Sequence, residues 1–275
     1  MFRKWVFFFL FVSAFLAVPA GLKRLTQGFK IAKVRLELPF SSEWEAKSIL
    51  SDKEAFDILA KPFRYLGNGA QCYAFSSQDE KVVLKLFRFD QRHLLIQRSK
   101  RPAQEKILRF FEGCLLAGST AAKETGLLYL HLNQTAGKLP VLEAKGPLGQ
   151  SLRLPLDEYR FALQKKAVPL EDGLLAAQAQ GTLPERIEMI VALLESRIRK
   201  RIGNADPSLW RNFGFLEKEA IEFDFGNYRA RPDLSDPKAA RAELNRYIRP
   251  LKAWLEKNGP EYLEGLKARV EEARF

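Results

Sequence analysis

From Phe63 onward, short apolar runs alternate with glycine or polar breaks, the pattern of strands in a sheet. Residues 63–66 read as a strand, Gly67-Asn68-Gly69 as a turn and residues 72–75 as the returning strand. Residues 81–89, rich in Val, Leu and Phe, make a third. A helical stretch follows over 102–124, then a strand at 127–132 and further strand candidates at 139–144, 150–154 and 159–165. This first part of the chain is expected to be mostly β with one helix. At Pro169 and Gly173 the texture changes. Thr182-Leu183-Pro184-Glu185 has the form of a capping box, with proline tolerated in the first turn. Ile187, Ile190, Val191, Leu194 and Ile198 then recur at helical spacing, and Gly203-Asn204 stops the helix. Residues 212–216 and 220–225 read as two short strands around Glu217-Lys218-Glu219, and 237–275 as helical with a break at Gly259-Pro260. These patterns predict an α+β protein.

The N-terminus has a different pattern. Residues 5–20 carry no charge, with Arg3 and Lys4 before them and Lys23 and Arg24 after. Two readings fit. A basic start, an apolar middle and Val18-Pro19-Ala20 describe a cleavable signal peptide. Residues 5–22 equally describe one short membrane anchor, within the usual span of roughly 17–25 residues. Lys23, Arg24, Lys30, Lys33 and Arg35 outnumber Arg3, Lys4 and the amino terminus, which favours an anchor with the following domain in the cytoplasm. The expected organisation is therefore 1–24 as anchor or signal segment and 25–60 as a basic juxtamembrane helical region. A β-rich lobe over 61–168 and a compact helical lobe over 169–275 follow.

Composition narrows the partners. With 275 residues, 47% of them hydrophobic, the chain can bury a sizeable core. Lysine and arginine number 45 against 33 acids, a net charge of +12 that favours polyanions such as nucleotides or an anionic membrane surface. No RNA-recognition, zinc-finger or helix-turn-helix signature is present, so nucleic acid is not an expected partner. Two cysteines, Cys72 and Cys114, make no disulfide framework. Of the two histidines, His131 lies in an apolar strand and reads as structural.

Three separated features carry chemistry. Gly67 and Gly69 stand at a hairpin tip, where backbone N–H groups can approach phosphates without a Cβ in the way. Val82-Val83-Leu84-Lys85 places a lysine on a partly apolar strand face, which calls for an anionic partner. Ile221-Glu222-Phe223-Asp224-Phe225-Gly226 ends an apolar strand in an aspartate suited to a phosphate-bridging metal.

In this order the three features resemble the protein-kinase-like superfamily, over about residues 61–228. Gly203-Asn204-Ala205-Asp206 followed by Arg211-Asn212-Phe213-Gly214-Phe215 is similar to the catalytic loop of HipA-like serine/threonine kinases. The resemblance implies a two-lobed kinase-like fold with a compact C-terminal lobe, preceded by one hydrophobic helix. It implies ATP and Mg²⁺ as cofactors and a hydroxyl acceptor. Gly67 and Gly69 would cover the phosphates, and Lys85 would pair with the α/β-phosphates and a helix glutamate. Glu112 is the choice for that glutamate, with Glu105 as runner-up. Asp206 would accept the hydroxyl proton, and Asn212 and Asp224 would hold Mg²⁺. The chain departs from the family pattern in four places. Asn204-Ala205-Asp206 replaces H-R-D, Asn212 lies six residues after Asp206 instead of five, Cys72 replaces a third glycine, and no A-P-E segment follows. These departures keep a pseudokinase, a binding or scaffold module, beside an active phosphotransferase.

Overall fold

The computed structural model describes residues 25–69, 71–89 and 102–275. The expected N-terminal hydrophobic helix lies outside the described residues. Among the described residues, no helix is long and apolar enough to cross a membrane.

One mixed sheet dominates the first half. Its strands are β1 (Phe63–Asn68), β2 (Cys72–Ser77), β3 (Val82–Phe87), β4 (Leu127–His131), β5 (Val141–Lys145), β6 (Ser151–Pro155) and β7 (Phe161–Lys165). Their order is β4-β7-β3-β2-β1-β5-β6. The β1–β5 pair is parallel and the others antiparallel. The strands fall on apolar runs or on alternating apolar and polar positions of the sequence. Alternation along the strands sorts side chains between two faces. Phe63, Tyr73, Phe75, Leu84, Phe161 and Leu163 fill one core. On the other face Phe87, Leu127, Leu130 and Ala162 meet Ile107, Phe111, Cys114 and Ala117 of helix α2 (Ala103–Thr120).

The helix expected over 102–124 breaks at Ala121 into α2 and a single turn, α3 (Ala122–Thr125). Gly126 ends that turn at φ 64°, a left-handed conformation that favours glycine. In the juxtamembrane region α1 (Asp52–Leu59) is an α-helix, opened by a Ser51–Glu54 capping box. Residues 27–30 instead lie along the β1–β2 hairpin. The Phe29 ring packs on Tyr65, Tyr73 and Phe75 with centroids 5.3, 4.8 and 6.1 Å away. Tyr73 Oη donates to the Gly28 carbonyl and accepts from the Lys30 N–H, both at 3.1 Å.

The second half is mostly helical. It contains β8 (Val168–Pro169), α4 (Leu170–Gln180), α5 (Leu183–Arg199), β9 (Ile202–Asn204) and α6 (Leu209–Asn212). After these come β10 (Phe213–Phe215), β11 (Ala220–Glu222), β12 (Tyr228–Ala230), α7 (Pro237–Asn258) and α8 (Leu263–Glu271). The stripe from Ile187 to Ile198 is buried against Leu244, Tyr247, Leu251 and Leu255. β10 pairs with β8 and β11, and β12 with β9.

One expectation is corrected here. Thr182 is the N-cap of α5, but its side chain makes no cap hydrogen bond. Its backbone serves the helix before it. The Thr182 N–H donates to the Ala177 carbonyl at 2.9 Å, just after Gly181 closes α4 at φ 71°. This holds Thr182 at ψ 22°, away from the extended conformation that aims an N-cap side chain at the helix.

Candidate functional site

A cleft of about 330 Å³ opens between the β1–β2 hairpin above and the segment after β11 below. Gly67 and Gly69 line its roof. Neither has a positive φ, and a Cβ built at either would meet nothing closer than 3.7 Å. The surrounding protein does not require glycine at these positions. What glycine provides is bare backbone bordering the cleft.

Lys85 projects from β3 into the same cleft. Its Nζ donates to the Phe223 carbonyl at 2.6 Å and lies 5.0 Å from the centre of the Phe223 ring. The next residue is Asp224. Burial raises the Asp224 carboxyl above its ordinary pKa; Lys85 opposes this, and the like charge of Asp206 adds to it. Lys85 and Asp224, separated by 139 positions in sequence (224 − 85), thus border the same cleft.

Asn204 joins the floor together. Its Nδ2 donates to the Asp224 carbonyl at 3.0 Å and to Glu222 Oε1 at 2.8 Å, while its Oδ1 accepts from the Asp206 N–H at 2.9 Å. Asn212, at the end of α6, donates through Nδ2 to the Asp206 carbonyl at 2.9 Å, and its own carbonyl accepts from the Phe223 N–H at 2.8 Å. The six-residue spacing is thus closed by a short helical turn. Because Nδ2 is committed to a carbonyl, Oδ1 is the Asn212 atom that would ligate a cation. Arg211 reaches the Asp206 carboxylate at 3.4 Å and borders the cleft.

Beneath this loop lies a buried charge network. Arg197 of α5 is fully buried, 2.6 Å from Glu222 and 3.0 Å from Glu243. Burial alone would lower the Arg197 pKa; Glu222 beside it turns the net shift upward, so the guanidinium stays charged. Tyr228 Oη donates to Glu222 at 2.9 Å, and Arg197 stacks 4.4 Å from the centre of the Tyr247 ring.

Glu112 is not brought to Lys85. It lies on the exposed side of α2, and Glu105 pairs with Arg109 at 3.3 Å. Among the described residues, no ion pair joins Lys85 to a helix glutamate. The reason is helical phase. Phe110, Gly113 and Cys114 turn toward the sheet and the Asp224–Gly226 turn, where a Cβ on Gly113 would lie 2.6 Å from the Gly226 carbonyl. Phe110 borders the cleft with its ring centre 4.8 Å from that of Phe87. Sequence distance alone points to Glu112; the apolar spacing Ile107, Phe110, Phe111, Cys114 was the signal that places it outside. Sequence reasoning also passed over Asn204 as a clamp, Glu222 and Arg197. A lone acid within the apolar run Ile221-Glu222-Phe223 was the available hint. His131 is buried in β4 with Nδ1 donating to the Tyr159 carbonyl at 2.8 Å, and burial lowers its pKa to about 4. Cys72 and Cys114 are free thiols.

Among the described residues, no three His, Cys, Asp or Glu side chains converge into a metal cage. Asp224, Asp206 and Asn212 do offer oxygen donors, the kind Mg²⁺ takes when one or two carboxylates and ligand phosphates share its coordination. A divalent cation would also relieve the burial and like charge that raise the Asp224 carboxyl. These residues fit Mg²⁺.

No family model matches the chain, and no curated protein matches it. Crystal structures of WbdD do resemble it. A 2.2 Å structure aligns over 78% of this chain and 46% of that one, at 16% identity and a TM-score of 0.39. A structure of WbdD described as a bifunctional kinase-methyltransferase covers 74% and 43%, at 16% identity and a TM-score of 0.36. WbdD with the kinase inhibitor LY294002 covers 77% and 46%, at 16% identity and a TM-score of 0.37. The chain spans less than half the length of these structures.

Proposed function

We propose that this chain is a kinase-like protein that binds ATP with Mg²⁺ in the cleft and transfers the terminal phosphoryl group to a hydroxyl acceptor. The observation that supports this most is the Asn204 clamp, which ties the Asp206 and Asp224 backbones together opposite Lys85. In this reading the bare backbone of Gly67 and Gly69 covers the phosphates, and Lys85 neutralises their charge. Asp224 and Asn212 would hold Mg²⁺, which when bound would supply charge neutralisation beside the phosphates. Asp206 takes the proton of the attacking hydroxyl. The chemistry then rests on positioning and on preorganised charge. The apolar run at 5–22 would hold this site at a membrane, with the domain on the cytoplasmic side.

A pseudokinase is the second reading. It is favoured by Glu112 facing away from Lys85 and by Arg211 occupying the Asp206 carboxylate. Thermal shift and turnover separate the two. Mg·ATP should raise the melting temperature, because a ligand of the folded state stabilises it. An active kinase then hydrolyses or transfers phosphate in a manner lost on Asp206→Ala. Binding without turnover selects the nucleotide-binding pseudokinase, turnover that ignores Asp206→Ala overturns the mechanism, and no shift with Mg·ATP rejects both nucleotide-binding readings and leaves a non-binding scaffold. Membrane attachment is checked separately by alkaline extraction of the full chain from membranes.

A further inference from the structure

We infer that residues 27–30 are a positioning strap for the cleft roof: seated by Phe29, they hold the glycine hairpin where it covers a nucleotide, and they tighten when one binds. This rests on the nucleotide reading above. The second strand of the hairpin has two faces. Cys72 and Ala74 border the cleft, while Tyr73 and Phe75 lie in the core on the other side. The strap covers that other side. Phe29 packs on Tyr73, Phe75 and Tyr65, and Tyr73 Oη bonds both the Gly28 carbonyl and the Lys30 N–H. The strap thus rests on the back of the hairpin, and a nucleotide would meet its front.

A sharp turn brings the strap to the hairpin tip. The Phe29 N–H donates to the Thr26 carbonyl at 2.9 Å, with Gln27 at φ 50° and Gly28 at φ 69° between them. Left-handed backbone is uncommon for a residue with a side chain, and it persists where surrounding contacts hold it. Here those contacts are with the roof. The Gln27 carbonyl accepts from Asn68 Nδ2 at 2.6 Å, and Gln27 Oε1 lies 3.7 Å from the place a Cβ on Gly67 would take. Past the strap, the Lys33 carbonyl accepts from the Phe89 N–H at 2.8 Å just beyond β3, and Val34 is fully buried. The segment is therefore pinned to the sheet at one end and to the roof at the other.

The consequence for binding is entropic. A glycine-bearing tip without support samples many conformations, and fixing it over a ligand lowers affinity. With the strap seated, much of that ordering precedes binding. Coupling between two sites is reciprocal, so a strap that favours the nucleotide-covering roof must itself be stabilised when a nucleotide binds beneath it.

The test follows amide hydrogen exchange of the full wild-type chain in Mg²⁺, with and without the non-hydrolysable ATP analogue AMP-PNP. Exchange over residues 27–34 should slow at least about threefold, together with that of the cleft around Lys85 and Asp224. Protection in the cleft with none in the strap overturns the inference and leaves the nucleotide reading in place. No protection anywhere, with no heat of binding, means that the nucleotide reading fails and this inference with it. Calorimetry with AMP-PNP adds the variants. Phe29→Ala should weaken binding at least about fivefold, and Phe29→Leu, which keeps an apolar seat, should stay within about twofold of wild type. Leu142→Ala opens a cavity in the same core, on β5, which meets β1 at Phe63 and Arg64, and should also stay within about twofold. Unchanged binding in Phe29→Ala overturns the inference. An equal loss in Leu142→Ala overturns it as well, because core packing alone then accounts for the effect. The wild-type exchange decides the matter even where a variant does not fold.

Discussion

The roof and the floor of the cleft are held by different forces. At the roof, Asn68 Nδ2 donates to the Gln27 carbonyl at 2.6 Å and Arg88 Nη1 to the Gly69 carbonyl at 3.2 Å, both at exposed positions. Water competes for such bonds, so each contributes little net stability. At the floor, Arg197, Glu222 and Glu243 are buried and mutually paired below Asn204. A buried ion network cannot lose one member without leaving a charge unpaired in a poor solvent. The difference gives the cleft a firm floor, which sets Asp206 against Asp224, and a roof that can adjust to what lies beneath it.

If this contrast is right, the largest effect comes from Arg197→Met. It leaves Glu222 buried without its cation, while Glu243 keeps Arg246 at 3.6 Å and Arg231 at 3.9 Å, and should cost about 3–5 kcal/mol in urea unfolding. A loss under about 1 kcal/mol would show that the floor is not held by this network. Gly226→Ala comes next. Its Cβ would meet the Phe110 ring and Gln71 Oε1, so α2 must give way, for about 1–3 kcal/mol. An unchanged urea midpoint would mean that α2 is not seated against the turn.

Asp224→Asn should have the opposite sign. Burial raises this carboxyl in the folded chain, so at pH values between the ordinary and the raised pKa the folded state holds a proton the unfolded state has released. Stability therefore falls as pH rises through that window, and the loss persists above it. The asparagine variant escapes the loss. It should melt higher than wild type at neutral pH, the gap closing below the ordinary carboxylate range, and it should lose the Mg²⁺ dependence of nucleotide binding. A gap that does not change with pH would remove burial of this charge as its cause. The smallest effect belongs to Asn68→Ala at the roof, about 0.5–1 kcal/mol at most. A larger loss would make the roof as firmly held as the floor and erase the distinction.

Much of this architecture was legible because it follows from local pattern. The strands from Phe63 to Lys165 announce themselves by short apolar runs between turns, and α5 by its stripe from Ile187 to Ile198. Lys85 and Asp224 stood out because a charged group broke or ended an apolar strand, and Asp206 and Asn212 only through the resemblance of their loop. Glu112 shows the limit of counting along the chain. A residue can lie at a suitable sequence distance and still face away, because helical phase is set by which side chains the sheet buries. The Thr182 cap shows the same limit at shorter range, where the end of one helix took the backbone that the next would have used.

The sequence by itself determined the strands of the large sheet, the helix α5, the basic charge and the order of the glycine hairpin, Lys85 and Asp224. These depend on composition and on spacings of a few residues. Only the tertiary structure decided that Asn204 would clamp Asp206 to Asp224 and that Arg197 would lie beneath them. It alone placed Phe110, instead of a glutamate, on the cleft side of α2. Those contacts join residues far apart in the chain, and their partners are chosen by burial and hydrogen-bond geometry, which exist only once the chain has folded.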